Sequence, residues 1–160
     1  MPAHYPVPIQ EDIRDLLVDL LGRGVAADKV SALALEEDDL GAIASFVTDS
    51  DETAALCVVD GAFVVRAGAA LVMVPAAAAE EDLAKGDLGT HLEVTQEVVN
   101  VLSRLLNSPS TPHLRLAGLH QLPGDVPAGV TAVLEKPEFR RDFAVTIEGY
   151  GDGRLSLLVT

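Results

Sequence analysis

From Gly89 to Leu106 apolar residues recur at helical spacing, as Leu92, Val98, Val99, Leu102, Leu105 and Leu106, and the run ends in Asn107-Ser108-Pro109. That pattern predicts one long amphipathic helix with a sharp stop. A helix with a single apolar face gains little stability in isolation, so the rest of the chain must present an apolar surface to it. The expected surface is a β-sheet.

The remaining patterning supplies its strands. Three short apolar segments, Val30 to Leu35, Ala42 to Thr48 and Thr53 to Val59, are separated by Glu36-Glu37-Asp38-Asp39 and by Asp49-Ser50-Asp51-Glu52, which fits an antiparallel meander with solvated acidic turns. Leu114 to Leu122 reads as a fourth strand. Arg141, Phe143, Val145 and Ile147 alternate with Asp142, Ala144, Thr146 and Glu148, and Gly149 to Gly153 joins that strand to Arg154 through Val159 as a hairpin. The glycines at 149, 151 and 153 are assigned to its turn.

Helices surround these strands. Ile9, Ile13, Leu16, Leu17, Leu20 and Leu21 form an amphipathic first helix stopped by Gly22 and Gly24. Asp60 is placed to cap a helix from Gly61 to about Val74, for which a strand is the competing reading because Val64, Val65 and two glycines lower the helical propensity. Ala76 to Lys85 and Pro127 to Leu134 complete the set. The expected architecture is α+β, a six-stranded antiparallel sheet in two three-strand halves packed by helices, with a hint of internal duplication. Residues 1–8, with Pro2, Pro6 and Pro8, form an extended lead-in to a single domain over residues 9–160.

With 25 acidic residues against 11 basic ones and a formal net charge of −14, the chain repels nucleic-acid phosphates and anionic lipid, which works against either as a partner. No apolar run reaches the ~18 residues that a membrane span needs, and no secretory leader pattern opens the sequence, so a cytoplasmic location is expected. The single cysteine, Cys57, lies in an apolar run and reads as a buried structural thiol. Asp49-Ser50-Asp51 lacks the glycine and distal glutamate of a calcium loop. His4, His91, His113 and His120 show no metal-ligand spacing, Ser103, Ser108 and Ser110 have no paired base, and no glycine-rich phosphate loop follows a strand.

The chemistry-bearing pattern lies on the long helix. Glu93, Glu97, Asn100 and Arg104 are spaced by four, three and four positions, which puts them in one stripe opposite the apolar face. Any amphipathic helix has a polar face, and Glu97 could simply support Arg104. Asparagine, however, is a mediocre helix former at an exposed position, and its amide joins a donor and an acceptor on one rigid group, the equipment needed to orient a water molecule.

Glu97-Val98-Val99-Asn100 is followed by 22 residues and then Pro123. This resembles the pattern of the CheC/CheX/FliY chemotaxis phosphatases, in which Asp or Ser precedes Glu by four, Asn follows it by three, and Pro follows after the same gap. A fixed proline thins chance matches about twentyfold at an average usage of ~5%. The order of elements, an opening helix, a strand set, a helix pair ending in the motif helix and a second strand set, is similar across most of the chain. CheC usually holds two such sites and CheX one; the first helix here has no Glu-x-x-Asn, so CheX is the closer likeness. Two positions depart from the pattern: Glu93 stands where Asp or Ser is usual, and Arg104 where a small glycine is common.

The resemblance implies hydrolysis of the aspartyl phosphate of a CheY-type receiver. Asn100 would orient the attacking water and Glu97 would pair with a cationic group of the receiver. Glu93, Arg104 and Pro123 would contact the partner. The protein would need no cofactor of its own, since the receiver carries the Mg²⁺. Lys85, His91 and Arg104 are the cations available to offset repulsion from an acidic receiver site. The alternatives are a non-catalytic module that docks a receiver or signalling partner through the same helix, and a homodimer paired through an apolar last strand, Leu155, Leu157 and Val159, at a sheet edge.

Overall fold

A computed structural model describes residues 5–32, 35 and 39–160. In chain order these form α1 (Gln10–Leu21), β1 (Val25–Lys29), β2 (Gly41–Val47), β3 (Thr53–Asp60), α2 (Gly61–Val72), α3 (Ala76–Ala84), α4 (Gly89–Leu102), a 3₁₀ turn (Ser103–Leu106), β4 (Arg115–Leu122), α5 (Ala128–Glu135), β5 (Phe139–Ile147) and β6 (Gly151–Val159). The strand expected at Val30–Leu35 and the acidic turn expected at Glu36–Asp39 fall partly on residues 33–34 and 36–38, which lie outside the described residues. So do the first four residues of the lead-in. The first strand begins earlier, at Val25, directly after the glycine stop of α1.

The six strands make one antiparallel sheet in the order β1-β5-β6-β3-β2-β4. Each half is a hairpin, β2–β3 or β5–β6, completed by a strand from the other half: β1 pairs with β5, and β4 pairs with β2. The halves meet where β3 pairs with β6. This is the expected duplication, with one strand exchanged between the repeats. It replaces the meander expected for the first three strands, because β1 lies at the far edge from β2. It also corrects the dimer expectation for the last strand. Leu155 to Val159 are all buried, and a strand so apolar on both faces is stable only inside a sheet, so β6 is interior and the edges are β1 and β4.

One face of the sheet carries α2, buried along Phe63, Val64, Val65, Ala67, Gly68, Ala69 and Ala70. The helical reading of this segment holds over the strand reading. The Asp60 carboxylate accepts from the Phe63 amide at 2.8 Å, satisfying a donor that the first turn leaves open. Valines that disfavour an isolated helix are here covered on all sides, and tertiary burial overrides propensity. Of the glycines expected in the hairpin turn only Gly149 lies there, since Gly151 opens β6 and Gly153 lies within it; Gly153 is placed against α2. A Cβ there would lie 2.7 Å from the Phe63 Cα, so its absence lets the start of α2 rest on the strand. Arg66 then ties three elements together: its Nε donates to Glu80 of α3 at 2.8 Å and its Nη1 to the Asp152 carbonyl at 2.6 Å. The hydrogen bond from Arg66 holds the Glu80 carboxyl below its ordinary range.

The opposite face carries a smaller cluster in which Val130 and Val133 of α5 pack on Ile43, Leu56, Val58 and Leu158. Buried polar residues share that face, where Ser156 donates to Asp142 and Arg140 lies 3.1 Å from the same carboxylate. Cys57 lies in the larger core between the sheet and the helices, and burial pushes its thiol up to about 12. The lead-in is pinned to β5, since Arg141 donates to the carbonyls of Val7 and Pro8.

Candidate functional site on the fourth helix

The motif helix splits cleanly by burial. His91, Thr95, Val98, Val99 and Leu102 are buried, while Glu93, Glu97 and Asn100 are exposed on the opposite side. Its buried face rests mainly on α2, with smaller contacts to β2 and β4, rather than directly on the sheet as the apolar pattern suggested. The approach is close. A Cβ on Gly68 would sit 2.9 Å from the His91 carbonyl oxygen and 3.2 Å from Thr95 Oγ1, so only glycine fits the crossing without a shift.

Two polar contacts fix the helix from beneath. Thr95 Oγ1 donates to the Val64 carbonyl at 2.8 Å, and His91 Nε2 lies 2.7 Å from the Asp82 carboxylate of α3. His91 is therefore committed to the interior, which removes it from the cations expected to face a partner; the isolated-histidine reading missed it because Asp82 comes from another helix. Lys85 remains exposed at the end of α3.

The helix does not run regularly to Leu106. It tightens into the 3₁₀ turn at Ser103, and Asn107 closes the end: its Nδ2 donates to the carbonyls of Ser103 and Leu114 at 3.1 and 3.2 Å, and its Oδ1 accepts from the Leu114 amide at 2.8 Å. Arg104 thus stands on the turn, beyond the α-helical spacing that aligns Glu93, Glu97 and Asn100. It lines a groove against α1.

Glu97 and Asn100 are separated by about 4.5 Å along the axis and by less than a quarter turn around it, so a carboxylate and an amide project together. Among the described residues, the side chains of Glu93, Glu97, Asn100 and Arg104 make no hydrogen bond or ion pair; the Asn100 carbonyl accepts from Ser103 Oγ at 2.5 Å. The helix backbone under these groups is held in place, and their side chains are left available to a partner. Pro123 follows β4 in an exposed turn, at the end of that strand away from the 3₁₀ turn. No group of three or more His, Cys, Asp or Glu among the described residues is arranged to hold a metal ion.

The duplication gives this helix a counterpart. As α4 leads into β4, so α1 leads into β1, and the buried residues Ile13, Leu17 and Leu21 repeat the spacing of Val98, Leu102 and Leu106. Setting these triads against each other brings Asp12 onto Glu97, Asp15 onto Asn100 and Asp19 onto Arg104. All six are exposed. The first repeat has two carboxylates where the second has a carboxylate and an amide.

No family model matches the chain, and no curated protein matches it. Its fold has solved counterparts. FliY from Thermotoga maritima superposes with a TM-score of 0.53 at 14% identity, covering 92% of this chain and 82% of that one. FliM from H. pylori, solved in complex with SpeE, gives a TM-score of 0.58 at 9% identity, with coverages of 94% and 80%. FliM from the same organism in complex with FliG gives 0.54 at 9% identity, with coverages of 94% and 85%. The class defined at this level is the FliY and FliM middle-domain fold, an open six-stranded antiparallel sheet with helices. No helix of the described residues is long and apolar enough to cross a membrane.

Proposed function

We propose that this protein is a CheX-like phosphatase of the aspartyl phosphate on a CheY-type receiver domain in the cytoplasm. The observation that carries the reading is the pair Glu97 and Asn100, exposed and uncommitted on a helix pinned from below, in a chain with the FliY fold. Hydrolysis of an acyl phosphate asks little covalent work of the catalyst. Most of the acceleration comes from holding a water in line with the phosphorus and balancing charge around its oxygens. Asn100 would orient that water through its amide. Glu97 would pair with a cation of the receiver and set the helix over the phosphoryl group, with the Mg²⁺ carried by the receiver.

Glu93, Arg104 and Pro123 would contact the partner around this pair. One site per chain follows from the replacement of the Glu and Asn positions by Asp12 and Asp15 in α1, because a second carboxylate cannot donate to a water as an amide does. Phosphate release from a phosphorylated CheY-type receiver tests the reading. Acceleration by the wild type that Asn100→Ala or Glu97→Ala abolishes supports it, and equal release by all three proteins overturns it.

A second reading has an observation behind it. FliM of the same fold is known in complexes with SpeE and FliG, so the scaffold also serves as a docking module in those proteins. Saturable receiver binding without faster phosphate release would favour a non-catalytic role for the same helix.

A further inference from the structure

A groove runs between α1 and the end of α4. It is an open cleft of about 510 Å³ with a floor of Leu16, Leu20, Val101 and Leu105. All four are partly exposed, and Leu16, Leu20 and Leu105 also pack against the core. Asp12, Asp15 and Asp19 form the wall on α1, and Arg104 stands across from them.

These aspartates recur at i, i+3 and i+7, which aligns them over about 10 Å of one helix side. Their local partners leave most of the charge available. Asp12 accepts from the Ile9 amide at 3.1 Å as the cap of α1, and Asp15 meets only its exposed neighbour Arg14 at 3.0 Å. An exposed pair of that kind contributes about 0–1 kcal/mol and yields readily to a better-placed cation.

We propose that this groove binds a cationic amphipathic helix of a partner protein. Its apolar stripe would lie along the leucine floor, and lysine or arginine residues at matching i, i+3 or i+4, and i+7 positions would meet the aspartate wall. Charge complementarity selects this occupant. Anionic lipid and nucleic acid are repelled by the wall, and a second copy of this chain brings its own net charge of −14. The comparison of the two repeats points the same way, since α1 keeps the exposed positions of Glu97 and Asn100 but fills them with two anions that suit cations. The inference does not rest on the phosphatase reading: it uses neither Glu97 nor Asn100, and the one residue the two share is Arg104, which lines the groove.

The test uses the full chain and a fluorescein-labelled synthetic helix with leucines at i, i+3, i+4 and i+7 flanked by lysines, read by anisotropy. A control peptide carries glutamates in place of the lysines. Saturable binding of the lysine peptide is expected, with the control weaker by more than tenfold. Asp15→Asn combined with Asp19→Asn should weaken the lysine peptide about tenfold; this pair spares Asp12 and so leaves the cap of α1 in place. Raising salt from about 50 mM to about 500 mM should weaken it further. The proposal is overturned by no saturable binding up to about 1 mM peptide, by equal affinity in the double variant, or by capture of phosphatidylserine vesicles in preference to the peptide.

Discussion

Thr95 Oγ1 of α4 donates to the carbonyl oxygen of Val64 in α2 at 2.8 Å, at the crossing where Gly68 leaves room for the two backbones. The hydroxyl serves as a peg through the interface, and the helix that presents Glu97 and Asn100 is held in one rotational setting. The direction in which Glu97 and Asn100 project depends on that setting, because a small rotation of the helix would redirect both side chains together.

Gly68→Ala should therefore destabilise the protein although alanine is the better helix former. The new methyl would lie 2.9 Å from the backbone oxygen of His91, which cannot swing aside. An overpacking cost of about 1–3 kcal/mol exceeds the helix-propensity gain of about 0.5–1 kcal/mol. Thr95→Val keeps the volume and loses the hydrogen bond, at about 1 kcal/mol. Urea denaturation of both variants checks the pair, and a more stable Gly68→Ala would contradict the close crossing.

Asp82→Ala removes the partner of a buried imidazole. His91 would then keep a ring nitrogen in the interior without its 2.7 Å contact, and a loss of about 1–3 kcal/mol is expected. Hydrogen exchange should show faster opening of α3 relative to α4. Unchanged protection there would mean that Asp82 does not hold the two helices together.

Cys57 predicts an alkaline slope. Burial raises its thiol from an ordinary 9.0 to about 12, so the folded state resists ionisation that the unfolded chain permits. The stability this group contributes is complete below pH 9 and declines as pH rises from there toward 12, by at most about 1.4 kcal/mol per unit. Denaturation at pH 8 and pH 10, for wild type and Cys57→Ala, isolates the effect. The variant should lose less stability than wild type over that interval, and thiol labelling of the native protein should be slow.

Glu97→Ala and Asn100→Ala should leave stability within about 0.5 kcal/mol of wild type, since neither side chain supports the fold. Asn100→Ala should be neutral or slightly stabilising, because alanine is the stronger helix former. If the proposed chemistry holds, phosphate release from a phosphorylated receiver falls about 100-fold in the Asn100 variant, the scale of losing a positioned water. A large drop in melting temperature in either variant would mean that the residue is structural.

Much of this protein is written in local patterning. The apolar spacing of α1 and α4, the Asp60 cap, the alternation along β5 and the antiparallel α+β class all follow from periodicity and capping, which depend on neighbours within a few residues. The exposed grouping of Glu93, Glu97 and Asn100 follows from the same 3.6-residue repeat.

The exchange of β1 and β4 between the halves, the burial of β6 in mid-sheet, the His91 and Asp82 contact, the role of Gly153 and the groove between α1 and Arg104 were decided by the tertiary structure. All but the His91 and Asp82 contact join residues far apart in the chain, and that contact crosses from one helix to the next, so none of them leaves a period in the sequence. The helix of Glu97 and Asn100 shows both levels at once: its face is a matter of spacing, and its fixed orientation is a matter of Thr95, Gly68 and the helix beneath.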